Sequence, residues 1–329
     1  MNILVTGGAG YVGSFAVRHL LEEGHAVWVY DNLVMGHRAA VPEGRLIVGD
    51  LHDQGLLEKT IHDHRVEAVM HFAAFAYVGE SVTDPAKYYR NNVVGTLSLM
   101  NAMKARGVDR IVFSSTCATY GVPQRMPMDE STPQAPINPY GHTKLMIEQA
   151  LADYSAAHGW GYAALRYFNA SGAAADGSIG EDHHPETHLI PLTLAVALGQ
   201  RDDILIFGDD YPTPDGTCVR DYIHVEDLAT AHLAALRRLG PGVDLKLNLG
   251  TGRGFSVRQV IESCRQATGH PIPARVVGPR AGDPPELVAD ASLARRTLDW
   301  APKYDSIEAI VESAWRWHRE HPRGYNDRD

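Results

Sequence analysis

The stretch Met1-Asn-Ile-Leu-Val-Thr-Gly7-Gly-Ala-Gly10-Tyr-Val-Gly13, continued to Asp31, decides how the chain folds. Asn2 to Thr6 is a short apolar run, long enough for a strand buried on both faces. Three spaced glycines follow at once, Gly7, Gly10 and Gly13. Tyr11 to Glu23 then carries Val12, Phe15, Ala16, Leu20 and Leu21 at helical spacing, and Gly24 ends that helix. Ala26 to Tyr30 is a second strand with Asp31 at its carboxyl end. Strand, glycine loop, helix, strand and acid, in that order, describe a βαβ unit that binds a dinucleotide. Gly7 permits the tight turn, Gly10 leaves room for a pyrophosphate at the helix amino terminus, and Gly13 lets helix and strand pack closely. Asp31 is placed to accept from ribose hydroxyls. A 2′-phosphate would be repelled there, which favours NAD. Arg38 lies nearby, so NADP is disfavoured rather than excluded.

Outward from that unit the chain keeps alternating strands and helices. Arg45 to Gly49, Ala68 to Phe72, Arg110 to Phe113 and Tyr162 to Tyr167 read as further strands. The expected architecture is α/β: a Rossmann-type doubly wound parallel sheet with a smaller α/β substrate-binding lobe. Residues 1–169 plus about 225–250 form the dinucleotide domain in this reading. Residues 170–224 plus 251–329 form the lobe. Asp50 and Leu51 end a strand where ligands collect in such sheets. Asp50 reaches the adenine or caps a helix over 53–64; both readings stand. Thr83 to Arg106 is expected to be mostly helical, with Asn91 and Asn92 as buried amides that tie loops together. In the second half, strands are expected at 204–208, 220–225 and 245–249, the last returning to the main sheet. Helices are expected at 188–199, 226–239, 255–268, 292–298 and 306–320, with a loosely ordered tail after Pro322.

Asn138-Pro-Tyr-Gly-His-Thr-Lys144 carries the chemistry. Pro139 opens a helix running to about His158. Tyr140 and Lys144 then share one face, four residues apart. An ammonium beside a phenol favours the phenolate, and so does a positive nicotinamide. The expectation is a Tyr140 lowered toward neutrality and able to act as acid and base. Ser114, Ser115 and Thr116 place hydroxyls at a strand end beside it.

The bulk numbers bound the rest. A chain of 329 residues suggests one large or two modest domains. Its net charge of −10, with no dense basic run, argues against nucleic acid as a partner. Cys117, Cys218 and Cys264 form neither a metal-spaced pair nor a disulfide framework, and a reducing cytoplasm fits them. The first residues start a strand, leaving no room for a signal peptide, and no apolar run reaches the length of a membrane span. His183, His184 and His188 fit no compact zinc pattern, so a polar surface loop is expected there and no metal. Arg220 and Arg280 are isolated arginines that suit either a phosphate or a surface ion pair.

Eight stretches together resemble the extended short-chain dehydrogenase/reductases, and within them the UDP-sugar 4-epimerases. They are TGGAGYVGS (Thr6–Ser14), DNL (Asp31–Leu33), HFAAFAYVGES (His71–Ser81), SSTCATYG (Ser114–Gly121), NPYGHTK (Asn138–Lys144), LRYFNASGA (Leu165–Ala173), FGDDYPTPDGTCVRDYIHV (Phe207–Val225) and RAGDPPELVAD (Arg280–Asp290). The resemblance covers nearly the whole chain. It implies an NAD-dependent isomerase that interconverts UDP-glucose and UDP-galactose by reversible hydride transfer at C4′ through a 4-keto sugar. A UDP-arabinose/UDP-xylose epimerase, or dual specificity that includes N-acetylhexosamines, is the alternative.

The same resemblance assigns roles. Tyr140 takes the 4′-hydroxyl proton, Thr116 hydrogen-bonds that oxygen, and Lys144 binds the nicotinamide ribose. The NAD path is implied to run along Gly7, Gly10, Tyr11, Val12, Gly13, Asp31, Asn32, Asp50, Leu51, Phe72, Ala73, Ala74, Asn91, Ser114, Tyr140, Lys144, Tyr167 and Phe168. Asn169, Leu189, Phe207, Arg220, Arg280 and Asp283 are implied to bind the UDP portion. Thr116, Tyr140, His188 and Leu287 face the sugar. A homodimer through the helices at 83–106 and 139–158 is implied as well. Three departures stand out: Ala76 where relatives carry lysine, His188 where they carry an amide, and Leu287 at the position that limits sugar size. Thr116 is followed by Cys117-Ala118 rather than by an acid, which removes the group that a related dehydratase needs.

Overall fold

The computed structural model describes residues 1–280 and 283–327. Ala281 and Gly282, inside the RAGDPPELVAD stretch, lie outside the described residues. The strands in chain order are β1 (Asn2–Thr6), β2 (Ala26–Asp31), β3 (Leu46–Val48), β4 (Ala68–His71), β5 (Arg110–Thr116), β6 (Gly161–Tyr167), β7 (Asn169–Ser171), β8 (Ile204–Phe207), β9 (Val219–His224), β10 (Asp244–Leu249), β11 (Gly254–Ser256), β12 (Ala274–Val277) and β13 (Glu286–Leu287). Seven form one parallel sheet in the order β3-β2-β1-β4-β5-β6-β10. The chain steps outward from β1 to β3, then returns to β4 on the other side. The order therefore reverses between β1 and β4, and a crevice opens beyond their carboxyl ends.

Alternation along each strand feeds two cores. Ile3 and Val5 face one cluster with Val17, Leu20, Leu228 and Leu236, from the helices Tyr11–Glu22 and Val225–Arg238. Leu4 faces the other with Leu57, Leu99, Met103, Ile147 and Leu151. Those come from the helices Gln54–Asp63, Gly95–Ala105 and Pro139–His158. Burial on both faces is why β1 reads as an unbroken apolar run. A smaller lobe is built on β9, flanked by β11 and β13 and paired also with β7, beside a β8–β12 pair. Its core joins Ile190, Leu194, Ile206, Val260, Ile310 and Val311. The returning strand β10 pairs in parallel with β6, Leu245 opposite Ala163.

Three expectations change. The helix expected over 83–106 starts earlier and is broken: Val78–Thr83, then Pro85–Tyr88, a widened π turn over Tyr89–Val94, then Gly95–Ala105. Pro85 disfavours helical backbone at the residue before it, and Asp84 turns out at φ −133° to cap the next segment through the Lys87 amide at 3.2 Å. Asn92, fully buried in the π turn, accepts from the Phe75 amide at 2.9 Å and donates to its carbonyl at 3.0 Å, the loop tie expected of it. The helix expected at 255–268 starts at Val257, because Gly254–Ser256 pairs with β9 and Ser256 caps it in a box with Gln259. The tail is not loose over the described residues. Tyr325 stacks on His37 at 4.6 Å, and Asp327 accepts from the Ala39 amide at 3.0 Å. No helix among the described residues is long and apolar enough to cross a membrane.

Candidate active site

The glycine loop is built for close approach. Gly7 sits at φ +73°, and a Cβ there would lie 2.4 Å from the Ala73 amide nitrogen. A Cβ on Gly13 would lie 2.2 Å from the Gly7 carbonyl oxygen. No side chain fits either place. The helix beginning at Tyr11 has no side-chain cap on Gly10, so its first amides face the crevice. At the end of β2, Asp31 is nearly buried. Burial raises its carboxyl, opposed by the Leu33 and Ala9 amides that it accepts at 2.9 and 3.0 Å. Gly7, Gly10, Asp31, Asn32, Leu51, Phe72, Ala73, Ala74 and Asn91 line one continuous cleft at the sheet reversal. Asp50 is not the cap of the next helix; Asp53 is, through the Leu56 amide at 2.9 Å. Asp50 is left at the cleft edge, accepting from Asn32 Nδ2 at 3.0 Å. Val12 packs inward between two cores, and Tyr11 donates to the Gly172 carbonyl at 2.6 Å. A donor-lined cradle that excludes Cβ atoms, with a carboxylate at the far end, fits a dinucleotide.

Further along the same sheet edge, Asn138 caps the Pro139–His158 helix through the Gly141 amide at 2.8 Å. Tyr140 and Lys144 are thereby set beside β5. Lys144 is buried, and its Nζ donates to the Ser114 carbonyl at 2.8 Å and lies 5.9 Å from the Tyr140 ring centroid. Ser114 Oγ pairs with the Tyr167 hydroxyl at 2.7 Å. The Thr116 hydroxyl faces the Tyr140 phenol and favours its ionised form, and its Oγ1 accepts from the Ala118 amide at 3.1 Å.

The electrostatics run against the expected phenol. Burial pushes Tyr140 well above the ordinary phenol range, the neighbouring Tyr167 adds to the rise, and the Thr116 hydroxyl only partly offsets it. Burial also pushes Lys144 down to about 7, with Glu148 opposing. The i, i+4 spacing brings the pair together, but desolvation outweighs the ammonium.

A buried network, not anticipated from spacing, holds this helix to the sheet. Glu148 accepts from Arg166 Nε at 3.0 Å, from Ser115 Oγ and from Gln134 Nε2 at 3.1 Å. Arg166 also donates to the Tyr120 hydroxyl at 2.9 Å, which donates to Asn248 Oδ1 at 2.7 Å. One carboxylate thus links β5, β6, β10 and the helix bearing Tyr140.

The lobe gathers most of the expected nucleotide residues. Arg220 is no surface ion pair: it is mostly buried, binds Asp283, and donates to the Pro284 carbonyl at 2.8 Å. Leu287 is the residue opposite Arg220 in the β9–β13 register. The Arg280 guanidinium lies 3.9 Å over the Phe207 ring. Asn169 opens β7, opposite Tyr222. Leu189 begins the helix Leu189–Ala197, flanked by His188. Phe168 is buried in a cluster with Tyr120, Met128 and Ala289, against which Leu287 packs.

The histidine loop departs from expectation. His184 is exposed and His183 only partly buried, but Glu181 is buried, and Glu181, His183, Glu186 and His188 bring one donor atom each within 4.8 Å of one another. A search for Cys and His spacing misses this group, because half its members are carboxylates. The run Glu-x-His-x-x-Glu-x-His is the signal that finds it.

A model described as the NAD dependent epimerase/dehydratase family matches residues 3–250. The chain is 54% identical over 327 residues to the UDP-glucose 4-epimerase of Halalkalibacterium halodurans, spanning 99% of this chain and 98% of that protein. It is 52% identical over 328 residues to the UDP-glucose 4-epimerase of Streptomyces lividans, spanning 99% and 98%. Among solved structures, UDP-glucose 4-epimerase from Brucella ovis in complex with NAD aligns at TM-score 0.92 and 52% identity, over 95% of this chain and 97% of that one. The enzyme from Bifidobacterium longum in complex with NAD+ and UDP aligns at TM-score 0.94 and 38% identity, over 99% and 100%.

Proposed function

The chain belongs to the NAD dependent epimerase/dehydratase family, and from that premise we propose how its own residues serve the reaction. It is an isomerase that uses NAD to interconvert UDP-glucose and UDP-galactose. NAD, when bound, supplies hydride acceptance and return at the sugar C4′. One observation carries the assignment of residues: Tyr140, Thr116 and Lys144 converge at the carboxyl end of β5, on the edge that also opens the glycine cleft.

Gly7, Gly10 and Gly13 admit the pyrophosphate, and Asp31 and Asn32 receive the adenosine ribose. Lys144, fixed by the Ser114 carbonyl, holds its ammonium toward the nicotinamide ribose. Tyr140 carries the proton of the sugar 4′-hydroxyl, and Thr116 bonds both the phenol and that oxygen. Burial holds the Tyr140 phenol high, so a positive charge beside it, such as an oxidised nicotinamide would supply, favours its role as a base. Phe207, Arg220, Arg280 and Asp283 hold the UDP, with Asn169 and Leu189 at its flank. The nucleotide anchors the substrate while the sugar turns over, so binding energy is drawn from the part that does not react.

The division of labour follows: 1–169 plus about 225–250 bind NAD, and 170–224 plus 251–329 bind the sugar nucleotide. A homodimer belongs to this reading. Val82, Val94, Leu97 and Met146 expose apolar side chains along the two helical segments assigned to it. Three free cysteines suit a reducing cytoplasm. The test is an assay of purified protein, with no added cofactor, against UDP-galactose, UDP-arabinose and UDP-N-acetylgalactosamine. Conversion of UDP-galactose to UDP-glucose is expected at the highest kcat/KM. A preference for the pentose would move the assignment to the arabinose/xylose alternative. Light scattering of the same sample reads the dimer.

A further inference from the structure

Glu181, His183, Glu186 and His188 take no part in the steps above, and one donor atom from each lies within 4.8 Å of the others. His183 Nδ1 lies 3.2 Å from Glu181 Oε1 and 3.7 Å from Glu186 Oε2. His188 Nδ1 contacts Glu181 Oε1 and lies 3.7 Å from Glu186 Oε1. Tetrahedral zinc with bonds of about 2.0–2.2 Å places its donors about 3.3–3.6 Å apart. Three of the separations lie within a few tenths of an ångström of that edge, and the fourth, the His188–Glu181 hydrogen bond, is shorter and opens when an ion enters.

Two features mark these side chains as aimed at something. His183 Nδ1 is fully buried and makes no aligned hydrogen bond among the described residues, although two carboxylates face it. A buried imidazole nitrogen left without an aligned partner calls for a further ligand. Glu186 is braced from behind: its Oε1 accepts the Thr187 and His188 amides at 2.6 and 2.7 Å, which turns Oε2 toward His183. That is the support a ligating carboxylate needs. His183 is itself held edge-on by Tyr11 at 6.1 Å and by Tyr77 at 6.2 Å.

We infer that Glu181, His183, Glu186 and His188 form a binding site for one divalent transition-metal ion of the zinc class. Two imidazoles and two carboxylates neutralise the ion and complete four-coordination, so the site is structural rather than catalytic. Calcium or magnesium would demand six or more oxygens, which the cluster does not offer. The half-exposed His188 gives the ion its way in. A bound ion would pin the loop from Gly180 to the start of the Leu189–Ala197 helix, beside the Tyr11 ring of the nucleotide loop. It would also commit the His188 imidazole to the metal rather than to the sugar.

The test uses the full chain, stripped with chelator and dialysed against zinc. Plasma mass spectrometry is expected to find one zinc per chain. Cobalt(II) in its place should give the intense visible bands of a tetrahedral site. Both readouts should be lost in His183→Gln and weakened at least tenfold in Glu186→Gln, and zinc should raise the Tm of the stripped wild type alone. Far-ultraviolet dichroism and retained NAD verify that each variant is folded. Folded wild type holding well under one equivalent, or variants holding as much as wild type, would overturn the site and leave four side chains paired only with one another. Neither result bears on the epimerase reading, which the sugar assay decides.

Discussion

Lys144 Nζ donates to the Ser114 carbonyl at 2.8 Å, a contact between the helix that carries Tyr140 and the strand that carries Thr116. The same burial that makes the contact rigid lowers Lys144 from 10.5 to about 7. A lysine depressed on folding binds fewer protons in the folded than in the unfolded chain between those values. Its penalty is therefore complete below pH 7 and fades as pH rises toward 10.5. Lys144→Met is expected to raise the Tm by a few degrees at pH 6, with the gap to wild type closing by pH 10, while epimerisation falls at every pH. Melting curves across that range check the sign.

Glu148 and Arg166 form a pair buried on both sides, and Ser115 and Gln134 share the carboxylate. Glu148→Leu strands the guanidinium and should cost ~3–5 kcal/mol. Adding Arg166→Met should restore much of that loss, because no charge is then left buried. Urea unfolding with saturating NAD measures both.

Asp31 turns one oxygen to the Ala9 amide and the other to the Leu33 amide, so its position is set before any ligand arrives. NADH should outcompete NADPH in reconstituting apo-protein by at least tenfold. Asp31→Ser should shrink that ratio to within a few-fold. Competition titrations that show equal affinities in wild type would remove the role given to Asp31.

Leu287 lies on β13 beside Arg220 and packs against the cluster of Tyr120, Met128 and Phe168. In the proposed reading Leu287 faces the sugar, and Leu287→Tyr narrows that space. Any activity on UDP-N-acetylgalactosamine should fall tenfold or more, and that on UDP-galactose by less than threefold. Unchanged relative kcat/KM would place the size limit elsewhere.

Much of this was legible in the residues, for physical reasons that differ by element. The β1–loop–β2 unit reads cleanly because burial on both faces, glycine geometry and a terminal acid each leave a mark on the letters. The Pro139–His158 helix reads cleanly because Asn138 and Pro139 announce its start and Gly159, at φ +70°, its end. The two-residue β13 and three-residue β7 and β11 leave no periodic trace; they exist because β9 is there to pair with. The break at Asp84 follows from Pro85, but the π turn that buries Asn92 is tied to Phe75, a loop away in sequence. Tyr140 shows the deepest gap. Spacing says that an ammonium is one turn distant, but only three dimensions say how dry the phenol is.

The central claim is that Tyr140 moves the 4′-hydroxyl proton. The direct measurement is kcat for UDP-galactose conversion by NAD-loaded Tyr140→Phe, with bound NAD quantified in the same sample. The account predicts NAD content equal to wild type and a kcat lower by about 10²–10⁴-fold. A fully loaded variant turning over at the wild-type rate would contradict it.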